Sequence, residues 1–237
     1  MMEVFSVKLS ENVGRETVER LLPFVAPEKQ DRVRKFYRWG DSLRALFADL
    51  LIRHIIIHKT NLKNEDISFS KNEYGKPFFN EQADFHFNLS HSGDWVVCAV
   101  DNKPVGIDVE EISPIDLDIS KNYFSTDEHK DLLSKADKIA YFFTLWTLKE
   151  SYIKIVGQGL SLPLNSFSIR FRENNEIRIA GKGTMIRDTF FSQYNIDENY
   201  KMAVCAQHKD FPGGIITKTI RELAVGFLEN ESLFLYR

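Results

Sequence analysis

Two stretches of the chain carry the same succession of signals, helices first and strands after. That repetition limits the available folds more than any single motif. In the first stretch, Pro27 opens a helix that continues through Glu28-Lys29-Gln30-Asp31-Arg32-Val33-Arg34-Lys35-Phe36-Tyr37. Asp41 reads as the N-cap of a longer helix to about His58, with Leu43, Leu46, Phe47, Leu50, Leu51 and His54 on one stripe. Strand-like runs follow at 67–70, 85–89 and 95–100, then a turn at Asp101-Asn102-Lys103-Pro104 and a strand from Val105 to Glu110. In the second stretch a helical region begins near Ile115, and Ser125-Thr126-Asp127-Glu128 caps a fresh helix. A long helix then runs from Lys138 to Val156 and stops at Gly157. Strand signals resume at 167–171, 176–179, 189–194 and 201–206.

Residue echoes accompany the repeated order. Asp49 and Arg53 lie 101 positions before Glu150 and Lys154, and Val97-Cys98-Ala99 recurs as Val204-Cys205-Ala206. The expected class is α+β, with two similar halves at 1–104 and 105–212 and an unassigned tail at 213–237.

The 237 residues suffice for such halves to bury a core without disulfide or metal. Lys plus Arg total 31 against 34 Asp plus Glu, a formal charge of -3. That balance excludes bulk electrostatic capture of nucleic acid or an anionic membrane. It conceals an asymmetry. Residues 26–53 carry seven Lys/Arg against four acids, whereas residues 108–137 carry nine acids against three lysines. The basic stretch suits a multiply phosphorylated small ligand; its plain alternative is a solvated helix face. Cys98 and Cys205 each sit in an apolar run, where thiols behave as small buried hydrophobes, so both are expected reduced. The N-terminus lacks a secretory signal and no run of about 18 apolar residues occurs, so a cytoplasmic protein is expected.

Asp108 and Glu110, two apart on a strand, project from the same face. Carboxylates so placed repel each other unless a cation lies between them, and a hard oxygen-seeking ion such as Mg²⁺ meets that need. Spacing alone more often marks an exposed strand face with scattered charge, because structural carboxylates are so common. Glu150 and Lys154 lie on the 138–156 helix among Phe142, Phe143, Leu145, Trp146, Leu148, Tyr152, Ile153 and Ile155. Such all-round apolarity marks a buried helix and fits poorly with a surface ion pair at i,i+4. Buried charges need partners, and a metal for Glu150 and a phosphate for Lys154 are candidates. Ser90-His91-Ser92-Gly93 ends a strand with donors suited to phosphate oxygens. Phosphate-loop, dinucleotide-binding, nucleophile-elbow, zincin and Cys/His zinc patterns are all missing from the sequence.

In this order, Ser90-His91-Ser92, Gly106-Ile107-Asp108-Val109-Glu110 and Trp146-Thr147-Leu148-Lys149-Glu150-Ser151-Tyr152-Ile153-Lys154 resemble the Sfp-type 4′-phosphopantetheinyl transferases. Pro27-Glu28-Lys29 and Tyr74-Gly75-Lys76-Pro77 resemble the surfactin-synthetase-activating members, and the likeness extends to about Phe211. It implies a pseudo-twofold monomer with the active site in the cleft between the halves. The implied reaction moves the phosphopantetheine arm of coenzyme A onto a serine of an apo peptidyl or acyl carrier protein, releasing 3′,5′-ADP. Asp108, Glu110 and Glu150 would hold Mg²⁺, or Mn²⁺. Lys154, Ser90 and His91 would meet phosphate oxygens, Lys29, Arg32 and Arg44 the 3′-phosphate, and Lys76 and Pro77 the adenine. Glu150, or Glu128 through a metal-bound water, would act as the base. The segment 115–124 would meet the carrier through Leu117, Ile119 and Phe124. A Mg²⁺-dependent hydrolase of nucleotides or coenzyme A, and a non-catalytic coenzyme A-binding module, are the rival readings.

Overall fold

The computed structural model describes residues 1–9, 13–173, 176–181 and 184–228. The chain opens with strand β1 (Glu3–Lys8), then helices α1 (Arg15–Leu21), α2 (Pro27–Lys35) and α3 (Trp39–Thr60). Strands β2 (Phe69–Lys71), β3 (Pro77–Phe79), β4 (His86–Ser92), β5 (Trp95–Asp101) and β6 (Val105–Glu111) follow. Helices α4 (Ser120–Tyr123), α5 (Thr126–Ser134) and α6 (Lys138–Val156) precede β7 (Phe167–Phe171), β8 (Ile177–Gly181), β9 (Thr184–Met185), β10 (Phe190–Gln193) and β11 (Tyr200–Ala206). The expected tail contains β12 (Ile216–Lys218) and α7 (Ile220–Phe227); its residues 229–237 lie outside the described residues. The class is α+β, as expected.

Local chemistry accounts for the helix ends. Ser125 and Glu128 form a reciprocal capping box at the start of α5, and α6 stops at Gly157, whose φ of 78° is left-handed. The start of α3 differs from expectation. Arg38 occupies the cap position, and Asp41 lies inside the first turn, where its Oδ1 accepts from Arg44 Nη2 at 2.6 Å. An acid there still favours the helix N-terminus through the dipole.

One sheet runs β12-β1-β5-β4 and another β10-β11-β6. All seven residues of β5 are buried because its two faces enter different cores. Val96, Cys98 and Val100 join Leu46, Leu50 and Ile55 of α3, whereas Val97 and Ala99 join Val105, Ile107 and Val109 of β6. Cys98 and Cys205 are free thiols within these buried strands.

The two sheets meet at β4 and β6, and here side chains replace a backbone ladder. Asn88 Oδ1 accepts the Ile107 N–H at 2.8 Å, Ser90 Oγ that of Val109 at 3.4 Å, and Ser92 Oγ that of Glu111 at 3.1 Å. Ser90-His91-Ser92 therefore lies within β4, paired to β5, so the strand runs three residues beyond the expected 85–89. The turn itself is Gly93-Asp94. Gly93 has φ 50°, and a Cβ there would lie 2.1 Å from the Tyr200 hydroxyl.

The C-terminal segment returns to the first half. β12 runs parallel to β1, and Ile220, Leu223, Ala224 and Phe227 of α7 join the core around α3. No described helix is long and apolar enough to cross a membrane.

Candidate active site

A cleft of about 610 Å³ opens between the two halves. Lys29 and Arg32, one helical turn apart, line it from α2. The small side chains of Ala45 and Ala48 on α3 keep that wall open, and Pro77 borders it from β3. Ser90 and His91 come from β4, Asp108 and Glu110 from β6. Trp146, Glu150 and Lys154 recur every fourth residue and so share one face of α6. Nine predicted site residues thus converge: Lys29, Arg32, Pro77, Ser90, His91, Asp108, Glu110, Glu150 and Lys154.

The glycine of the G-x-D-x-E run explains how β6 and α6 come so close. A Cβ on Gly106 would sit 2.0 Å from the Ser151 carbonyl oxygen and 2.8 Å from the Ile155 nitrogen, both backbone atoms. Only a residue without a side chain lets the helix lie directly on the strand. Lys154 then reaches across to Asp108 at 2.7 Å, and its Nζ also donates to Ser90 Oγ at 2.9 Å and the Ile107 carbonyl at 3.1 Å. Its partner is on the neighbouring strand, not Glu150 four residues earlier.

Three carboxyl groups share this wall, and all are pushed toward protonation. Burial raises Asp108, opposed by Lys154 and by the hydrogen bond from Ser90. Burial and then the Asp108 charge raise Glu110 to about 7, and the same two causes raise Glu150. Across the cleft, desolvation lowers Lys29, while Asp49 at 3.8 Å counteracts it. His91 is held below its ordinary value by desolvation and then by the charges of Arg44, Lys154 and Lys29.

Among the described residues, no three acidic, imidazole or thiol groups form a ready-made metal cluster. The donor chemistry still fits a hard cation. The carboxylate oxygens of Asp108, Glu110 and Glu150 face one cleft, and Asp108 Oδ2 is buried without a hydrogen-bond partner. A cation would satisfy that orphaned oxygen and relieve the repulsion from Asp108 that helps to raise Glu110 and Glu150.

Three predicted residues are placed elsewhere. Arg44 donates to the Gly93 carbonyl at 2.7 Å and to Asp41, holding the β4–β5 turn against α3. Lys76 borders a separate cavity of about 100 Å³, and its Nζ donates at 2.5 Å to the Lys154 carbonyl near the end of α6. Desolvation lowers this amine to about 8. Glu128 is buried in the second half. Its Oε1 accepts from Ile169 N at 2.7 Å, and its Oε2 from Ser125 N at 2.8 Å and Lys149 Nζ at 2.9 Å. It does not line the cleft.

Sequence reading missed Phe36, Leu89, Asp41 and the two alanines of the cleft lining. It also missed the ladder role of Asn88, Ser90 and Ser92. The available signal was their period of two along a strand whose other residues are partly apolar.

Comparison with known proteins accords with this geometry. Residues 104–205 match the 4′-phosphopantetheinyl transferase superfamily, and residues 13–103 match the family described as 4′-phosphopantetheinyl transferase, N-terminal. The chain is 42% identical over 224 residues to 4′-phosphopantetheinyl transferase Sfp of Bacillus subtilis, covering 94% of this chain and 100% of that protein. It is 40% identical over 233 residues to 4′-phosphopantetheinyl transferase gsp of Aneurinibacillus migulanus, covering 97% of each. The L-aminoadipate-semialdehyde dehydrogenase-phosphopantetheinyl transferase of Homo sapiens is 28% identical over 218 residues, covering 79% of this chain and 71% of that protein. With cationic and acidic walls facing one another and near full-length identity of this degree, the chain belongs to the Sfp-type 4′-phosphopantetheinyl transferases.

Proposed function

We propose that the protein transfers the 4′-phosphopantetheine arm of coenzyme A to a serine hydroxyl of apo carrier domains, peptidyl or acyl, such as those of nonribosomal peptide synthesis. The observation that carries this reading is the opposition, within one cleft, of the Lys29 and Arg32 cations to the Asp108, Glu110 and Glu150 carboxylates. Such a cleft suits a ligand with several phosphates and a metal counter-ion better than it suits either alone.

Lys29 and Arg32 would bind the 3′-phosphate end by charge-assisted hydrogen bonds, and Pro77 would border the adenine. His91 and Lys154 would receive the diphosphate. A divalent cation, Mg²⁺ or Mn²⁺, held by Asp108, Glu110 and Glu150, would neutralise charge on the diphosphate oxygens. Glu150 is the proposed base. Its place in the cleft lining, on the face of α6 that it shares with Lys154, suits the acceptance of the serine proton. The serine oxygen then bonds to the phosphorus of the pantetheine phosphate as the bond to 3′,5′-ADP breaks, and the released proton stays on Glu150. Ser90 serves this chemistry indirectly, by holding Asp108 and Lys154.

We propose further that the halves 1–104 and 105–212 act as the two walls of this site in a cytoplasmic monomer. Incubation with coenzyme A, Mg²⁺ and an apo carrier, followed by mass spectrometry, tests the transfer. A gain of one phosphopantetheine on the carrier serine is expected. Coenzyme A breakdown without carrier modification would replace this reading with hydrolysis.

A further inference from the structure

The lysine that precedes Glu150 never reaches the cleft. Lys149 is wholly buried, and its ammonium donates to Glu128 Oε2 at 2.9 Å, the Leu164 carbonyl at 2.9 Å and the Phe167 carbonyl at 2.6 Å. All three of its donors are engaged. Glu128 is equally committed, to Ser125 N, Ile169 N and Lys149. The start of α5, the turn before β7 and β7 itself are therefore tied to one point on α6. That point lies about 100° around the helix from Glu150.

This pair has an odd location if stability alone is considered. A buried ion pair seldom outperforms an apolar replacement of the same volume, because desolvation offsets the attraction. Beyond the Lys154 contacts with β4 and β6, the surface of α6 offers little to fix its rotation. It is apolar on nearly every side, so no single hydrophobic stripe dictates which face turns to the cleft. A polar anchor with five defined hydrogen bonds supplies that direction.

We propose that Lys149 and Glu128 are positioning residues that lock the rotation of α6 so that Glu150 and Lys154 face the cleft. The kinetic consequence rests on the transferase reading above. The variants to compare are Lys149→Met, Glu128→Gln and the double variant, by thermal melting, steady-state transfer and crystal structure. Lys149→Met alone strands the Glu128 charge and should melt well below wild type. The double variant should regain most of that loss while kcat per folded molecule stays roughly tenfold or more below wild type, with KM for coenzyme A raised several-fold because Lys154 and Glu150 both turn from the diphosphate. Its crystal structure should show the Glu150 carboxylate displaced from the cleft.

Recovery of kcat together with stability would overturn the proposal. So would a double variant that is unfolded at the assay temperature, since the pair would then hold the fold and not the angle of α6. If wild type modifies no carrier, the transferase reading fails, and the position of Glu150 in the double variant still decides this one.

Discussion

Glu110 shows how much of this site is held against its own electrostatics. Its carboxyl group, bonded by Ser92 Oγ at 2.7 Å, is raised to about 7 by burial and by Asp108. The folded chain thus holds a proton here that the unfolded chain releases above about 4.5. Stability contributed by this proton is present at low pH and is lost as pH rises through 7. We predict that Glu110→Gln melts higher than wild type at neutral pH without divalent cation, by about 1 kcal/mol after allowance for solvent screening. The difference should vanish below about pH 4.5, and melting curves across that range check it. A bound cation requires the ionised form, so its affinity for the wild-type site should increase as pH rises through 7. At this scale spacing placed Asp108 with Glu110 and Glu150 with Lys154 on shared faces, because two-residue and four-residue periods fix them, and the family resemblance joined the three carboxylates into one set. Their protonation was not legible, since it depends on burial and on neighbours brought from other elements.

At the scale of elements, α6 and β6 form the unit on which the site is built. Gly106 sets their separation, and the expected effect of Gly106→Ala is large for one methyl group. The added carbon meets backbone at 2.0 Å, which no side-chain rotation can relieve. We predict a loss of about 3 kcal/mol in urea unfolding. A larger loss of transfer than the remaining folded fraction explains should accompany it, because the Lys154–Asp108 contact at 2.7 Å would open. The limits of α6 were readable in advance, Lys138 to Val156, because a left-handed glycine ends it. β12 and α7 were not assigned. The three residues of β12 are too few for a period to register, and the Thr219–Glu222 capping box was the signal overlooked.

The whole molecule depends on how the two sheets are joined. Between β4 and β6 the amide groups of Ile107, Val109 and Glu111 are satisfied by side chains alone. Asn88 is the most buried link of this kind at Ile107, with an oxygen at 2.8 Å. We predict that Asn88→Ala destabilises the protein by about 1–3 kcal/mol, the cost of an unsatisfied buried N–H. Ser92→Ala, near an exposed Glu111 whose amide can reach water, should cost less. Chemical denaturation of the two variants tests the order. A reversed order would mean that the sheets are held mainly by their apolar faces.

The sequence by itself determined the inventory: the acidic and basic residues, the faces they share within each element, the α+β class and the family. Local periodicity and capping chemistry reach that far because they act within a few residues. Tertiary structure decided the partners. Lys154 bonds to Asp108, 46 positions away, and not to Glu150 on its own helix. Glu128 faces Lys149 in a core and not the cleft, and Arg44 braces a turn. Those outcomes depend on how closely α6 packs on β6 and on which face of each helix is turned inward. Both are set by contacts between distant segments, which no period within one element records.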